Sequence, residues 1–250
     1  MEDDGFTLVS KRKTARKRKR IIPQNIEVEE DFDSSLRKIQ AGKQKLIENI
    51  VIHTFLHRVR KSDAKSEENN EENYSSIICY GLGKISSCYN AQVQLAFLLI
   101  LKEYLNIDNV LAYDPVFSPS DKKLLNYFHI DVINQNESAK RIVEEKTLFY
   151  MPHCPFSLYN NLIWANLTGN NLKNVFIIGN SFVNMVSDHI SSKFNQKYKY
   201  ISMVEPFVVE CEFPKLKCDA FNDTKFVSFS VPLVMNTDSH YTFDEPIYSD

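Results

Sequence analysis

Only 6 of the 250 residues are glycine, 5 are cysteine and 1 is tryptophan. Glycine this sparse, with aromatics at 12% and charged residues at 25%, excludes a collagen-like repeat and wholesale disorder. Long apolar runs are missing too. The longest, Val93 to Leu101 with Gln94 inside it, is far too short to cross a bilayer. No secretory signal opens the chain: acidic residues are followed by basic ones, with no apolar stretch behind them. Cys79, Cys88, Cys154, Cys211 and Cys218 are odd in number and scattered, and no C-x-x-C pair occurs. That pattern argues against a disulfide framework and against a structural zinc site, so no metal is expected. These absences predict a protein of the cytoplasm and nucleus without membrane contact. There the Asn-x-Ser/Thr triplets at Asn136, Asn166 and Asn222 have little meaning.

Net charge is also small, −2 over the whole chain, but it hides an asymmetry. Residues 1–20 hold 8 Lys/Arg against 3 Asp/Glu, and the run from Lys11 to Arg20 (KRKTARKRKR) is cationic at 8 of 10 positions. Such a run repels itself and stays extended. Clustered positive charge suits an import receptor or nucleic-acid phosphates, or it merely solvates a tail. Specific nucleic-acid recognition is disfavoured, because no stacking aromatic is interleaved with the charges.

Composition divides the chain into a disordered basic tail (1–31), an N-terminal helix with an acidic loop (32–73), a core (74–235) and a loosely held C-terminal tail (236–250). Leu36, Ile39, Leu46, Ile50, Phe55 and Val59 recur near helical spacing and predict one helix over 34–60, with Gly42 as its weak point. The polar stretch SDAKSEENNEEN then separates that helix from the core. From Tyr74 the pattern alternates. Strands are predicted at 76–80, 109–114, 130–133, 147–151 and 175–178. Helices are predicted at 87–105, at 120–128 with Ser120 as N-cap, at 137–143, at 158–167 and at 182–194. Two further strands, at 200–212 and 226–231, have no helix between them and can pair antiparallel. The fold class is therefore α/β: a Rossmann-like, doubly wound, mostly parallel sheet with a C-terminal antiparallel strand pair.

In such a sheet ligands bind beyond the carboxyl ends of the strands. The residues expected there are Gly81, Gly83, Ser86 and Ser87 after the first strand and Asp114 after the second. His153 and Cys154 follow the fourth strand, with Asn160 and Asn161 on the next helix; Gly179, Asn180 and Ser181 follow the fifth. The two glycines permit a tight turn close to a ligand, and Ser86 or Ser87 can cap the following helix, whose N-terminus favours an anion. Asp114 is placed where a carboxylate accepts ribose hydroxyls, yet the loop reads G-x-G-x-x-S and Asp114 lies 31 residues past Gly83, beyond the usual spacing of about 20. S-adenosylmethionine or a dinucleotide fits this partial fingerprint, and so does a sheet whose turns simply need glycine. The terminal strand pair resembles the end of a class I methyltransferase sheet, but the acidic residue expected before the glycine loop is replaced by Cys79 and Tyr80. Cys154-Pro155 resembles a short haem-ligating motif. His53 and His57, four apart, are missing the Glu of H-E-x-x-H. Asn160 and Asn161 can grip a polar ligand or hydrogen-bond to backbone.

The stretches CYGLGKISSCYNAQVQLAFLL, YDPVF, LFYMPHCPFSLYNNLIWAN, VFIIGNSF and AFNDTKF resemble, as a combination, the Sensitivity to Red light Reduced family, over about residues 74–230. The resemblance implies a regulatory protein, tied in plants to phytochrome signalling and circadian clock input and in animals to clock-gene expression and haem biosynthesis. It implies no assigned catalytic residues and no settled activity, and it leaves protein partners open.

Overall fold

The computed structural model describes residues 32–61, 73–167, 171–189, 192–230 and 244–247. The basic tail over 1–31 and nearly all of the acidic loop lie outside the described residues. One seven-stranded sheet organises the rest, in the order β3-β2-β1-β4-β5-β7-β6. The strands are β1 (Ser76–Tyr80), β2 (Val110–Tyr113), β3 (Asp131–Val132), β4 (Thr147–Met151), β5 (Val175–Asn180), β6 (Val208–Glu212) and β7 (Thr224–Phe229). The first five run parallel, while β7 inserts antiparallel between β5 and β6. Strand order reverses between β1 and β4, so the crevice of a doubly wound sheet lies between their carboxyl ends.

Each central strand is apolar on both faces, as burial from two sides requires. On β1, Ile77 and Cys79 face one core cluster while Ile78 and Tyr80 face the other. The first face is covered by α3 (Tyr89–Leu105) and α4 (Pro119–Tyr127), with α1 (Phe32–Ile47) and α2 (Ile50–Arg60) beyond. Twelve of the seventeen residues of α3 are buried, because the sheet lies beneath it and α1 packs on its outer side. Buried Gln94 is accommodated in that apolar run: its side-chain amide donates to the Ala220 carbonyl at 2.8 Å, and its main-chain carbonyl accepts from the Tyr150 hydroxyl at 3.0 Å. The second face carries α5 (Phe156–Asn166), α6 (Phe182–Ser187), α7 (Ser192–Lys197) and α8 (Lys199–Val204).

Several expected elements differ in detail. The N-terminal helix breaks at Asn49, not at Gly42: the Asn49 side chain accepts from the Val51 amide and caps a new helix. Both helices bury apolar residues in the same cluster as the sheet, so 32–61 shares one core with the strands. The fourth helix is capped by Ser118, in a reciprocal box with Asp121, instead of by Ser120. No helix forms over 137–143, where Ser138 and Ala139 take left-handed backbone angles. The single helix expected over 182–194 is two short ones, and residues 199–204 are helix instead of strand. Of the C-terminal tail over 236–250, residues 244–247 are described, and they are hydrogen-bonded to the core through Lys140 and Tyr200.

Candidate functional site

The carboxyl ends of β1, β2, β4 and β5 form one rim, and Gly81, Gly83, Asp114, His153, Cys154, Gly179, Asn180 and Ser181 stand at those ends. Gly81 and Gly83 take left-handed angles, with φ +72° and +78°. Asp114, half-buried at the end of β2, reaches back across 31 positions: its Oδ2 accepts from the Gly83 amide at 2.7 Å and its Oδ1 from the Val116 amide at 3.0 Å. Asp121, fully buried on α4, accepts from the Ser86 amide at 2.7 Å and also from the Ser118 amide and hydroxyl. Two carboxylates therefore hold the loop between β1 and α3. The missed one, Asp121, was legible as an acidic residue three places after a serine before an apolar helix.

Neither Ser86 nor Ser87 caps α3. Cys88 occupies the N-cap and makes no side-chain cap bond. Ser87 is exposed, and the buried Ser86 hydroxyl has no hydrogen-bond partner among the described residues. It belongs to the loop between β1 and α3.

On the other side of the crevice, His153 is an exposed residue with φ +57°, a conformation disfavoured outside glycine and asparagine. Its amide donates to Asn180 Oδ1 at 3.0 Å, and its ring Nε2 lies 3.1 Å from the Ala220 carbonyl. Cys154 turns inward and donates its thiol to the Tyr80 carbonyl at 3.2 Å, filling the space over Gly81. Burial, followed by the nearby Asp114 charge, pushes the Cys154 thiol well above its ordinary range. Cys79 is raised by the same causes together with Cys154. Tyr159, also fully buried, is raised by burial first and Cys154 second; its hydroxyl donates to the Met151 carbonyl and accepts from the Asn180 amide. Gly179 is glycine because a Cβ there would lie 2.6 Å from the Tyr159 hydroxyl. Ser181 caps α6 and donates to Glu210 on β6, which also accepts from the Phe182 and Val183 amides. A side chain of this protein thus already fills the anion position at that helix start.

Asn160 and Asn161 are both engaged with backbone of the core. Asn160 Oδ1 accepts from the Tyr200 amide at 3.0 Å, and Asn161 donates to the Ser138 carbonyl at 2.9 Å. Behind them, Tyr80 donates to Glu137, which Arg141 clamps. Burial would raise Glu137, but the bonds from Arg141 and Tyr80 outweigh it and hold the carboxyl below its usual range. His53, on α2, lies against the Ile47 carbonyl at 2.7 Å, and no cluster of three or more metal-ligating residues occurs among the described residues. A groove of about 460 Å³ between α2 and the chain after β6 includes none of the rim residues in its lining.

As arranged, a ribose at Asp114 would share the carboxylate with the Gly83 amide, and a ligand approaching Gly81 would meet the Cys154 sulfur, whose thiol is buried.

Fold and rim together define a Rossmann-like α/β domain whose strand-end loops are braced by their own side chains. The SRR1 domain model matches residues 38–228, and the chain belongs to that family. It is 34% identical to the SRR1-like protein of Mus musculus, over 75% of this chain and 79% of that protein. It is 29% identical to the Arabidopsis thaliana protein SENSITIVITY TO RED LIGHT REDUCED 1, over 63% of this chain and 60% of that protein. Among solved structures, the SAH-bound Podospora anserina methyltransferase PaMTH1 is similar with a TM-score of 0.40 at 10% identity, covering 80% of this chain and 88% of that one.

Proposed function

We propose that this protein is a non-catalytic regulator acting in circadian clock input and in the regulation of haem biosynthesis, present in both cytoplasm and nucleus. One observation carries the non-catalytic part: three polar side chains at or beside the strand ends hold nearby backbone instead of being presented to a ligand. Asp114 holds Gly83, Asn180 holds His153, and Glu210 holds the start of α6. Membership of the SRR1 family supports a regulatory role, and the Arabidopsis relative is named for reduced sensitivity to red light. The haem link is read as regulation and not as haem ligation, because Cys154 is buried and protonated. The run from Lys11 to Arg20 engages an import receptor through its charge. Cells deleted for the gene are expected to show altered amplitude or period of rhythmic transcripts, restored by the wild-type chain; unchanged rhythms contradict the proposal. A fluorescent fusion without Lys11 to Arg20 is expected to lose nuclear signal, and unchanged nuclear content removes the import role.

A second reading, an S-adenosylmethionine- or nucleotide-binding enzyme or sensor, is favoured by one observation: the unpartnered, buried hydroxyl of Ser86, in the same loop as Gly83. On that reading calorimetry gives saturable binding of S-adenosylmethionine that Asp114→Ala weakens. Binding of equal strength in both chains discards the ribose role of Asp114.

A further inference from the structure

The structure places a four-residue piece of the C-terminal chain, Asp244 to Ile247, against a basic and aromatic surface of the core. The Tyr200 hydroxyl donates to the Asp244 carbonyl at 2.5 Å. Lys140 Nζ donates to Glu245 Oε1 at 2.5 Å and to the Pro246 carbonyl at 3.3 Å. Lys199 pairs with Asp244 at 3.4 Å. The two lysines are themselves seated on aromatic rings: Lys140 Nζ lies 5.6 Å from the Trp164 ring centre and Lys199 Nζ 4.9 Å from that of Tyr200. Main-chain carbonyls and carboxylates of an extended segment are thus read together, which is how a short linear peptide is recognised.

The seat is built from the core. Asn160 holds the Tyr200 amide and so fixes the start of α8. Asn161 holds the Ser138 carbonyl, and Asn166 holds the Val143 amide and the Arg141 carbonyl. Three amides of α5 thereby pin both segments that carry the lysines. The consecutive asparagines that stand out in the sequence are positioning residues for this surface.

We infer that the surface formed by Lys140, Trp164, Lys199 and Tyr200 is a docking site for an acidic, proline-containing peptide of a partner protein, held in cis by Asp244–Ile247. Energetics favour exchange. Glu245 and Asp244 are 62% and 94% exposed, and ion pairs so open to water contribute little. What keeps the segment in place is its tether, which makes rebinding intramolecular at an effective concentration on the order of millimolar. A partner peptide that binds more tightly than this displaces it. The inference rests on these contacts alone and holds under either functional reading.

The test uses the full-length chain. Asp244→Lys with Glu245→Lys releases the cis segment, and a synthetic peptide of residues 241–250 is titrated in. Trp164 is the chain's single tryptophan and the peptide contains none, so indole emission reports on the seat directly. The released chain is expected to bind the peptide saturably, about tenfold or more tighter than the wild type, whose seat is already filled. Binding should weaken as salt rises. In a chain released instead by Asp244→Ala with Glu245→Ala, Lys140→Glu and Lys199→Glu should abolish it with an unchanged circular dichroism spectrum, and a peptide carrying lysines at positions 244 and 245 should bind that charge-reversed chain. Absence of a saturable Trp164 response at millimolar peptide, equal affinity of wild-type and released chains, or indifference to the lysine reversals overturns the inference.

Discussion

Gly81 carries two constraints at once: a left-handed backbone angle and a Cys154 sulfur 2.5 Å from where a Cβ would stand. Gly81→Ala is expected to cost about 1–3 kcal/mol, from strain and clash together. In a Gly81→Ala/Cys154→Ala double mutant the clash disappears and the strain remains, so urea denaturation should show costs that fail to add by about 0.5 kcal/mol or more. Strict additivity would show that the sulfur does not sit over Gly81. Asn166 illustrates the other kind of buried residue. It accepts from the Val143 amide and donates to the Arg141 and Leu162 carbonyls while fully buried, so Asn166→Ala should cost about 2–4 kcal/mol, read from the same denaturation midpoint. Single residues were unevenly legible. The glycine turns and the place of Asp114 at a strand end followed from residue type and strand position. The direction in which Asn160 and Asn161 point did not, because an amide donates to a ligand or a carbonyl with equal ease, and only the packing of α8 and the 138 loop decides between them.

At the level of elements, α6 has six residues and starts on a carboxylate from another strand. Hydrogen bonds to a charged group are stronger than neutral ones, so Glu210→Ala is expected to destabilise by about 2–4 kcal/mol. The same change should speed amide hydrogen exchange at Phe182 and Val183. Protection unchanged at those two amides would show that Glu210 does not hold the helix start. Strands were the readable elements. β1 and β4 begin and end where the short apolar runs do, since a strand covered on both faces is apolar throughout. Helix limits were less readable. The periodicity over 137–143 is overridden because three of its backbone groups are taken by asparagines of α5, and that competition is long-range. The N-terminal pair read as one helix because both members present apolar residues to the same core, and a cap at Asn49 interrupts the backbone without disturbing the period.

Over the whole molecule, five buried acids hold their protons in the fold: Cys79, Cys154, Tyr80, Tyr150 and Tyr159 are all raised, each chiefly by burial. The unfolded chain releases these protons from about pH 9 for thiols and pH 10 for phenols. The native state then binds more protons than the unfolded one. Stability is therefore complete below about pH 9 and falls above it, by up to about 1.4 kcal/mol per pH unit for each group. Urea midpoints measured from pH 7 to 11 should stay level and then decline, and a midpoint that climbs above pH 9 contradicts the burial.

The architecture as a class was legible from alternation of strands and helices, while the closure of the rim was not. Closure depends on Cys154 turning in over Gly81 and on Asp114 bonding to Gly83, and both are matters of side-chain direction. That closure is the central claim, and thermal melting of the full-length chain tests it most directly, with S-adenosylmethionine, NAD, ATP or haemin added in turn at millimolar or saturating concentration. A ligand present at a hundred times its dissociation constant adds about 2.7 kcal/mol of stability, which a melting curve resolves. The account predicts that none of the four moves the midpoint. A rise of several degrees with S-adenosylmethionine that Asp114→Ala removes would contradict it.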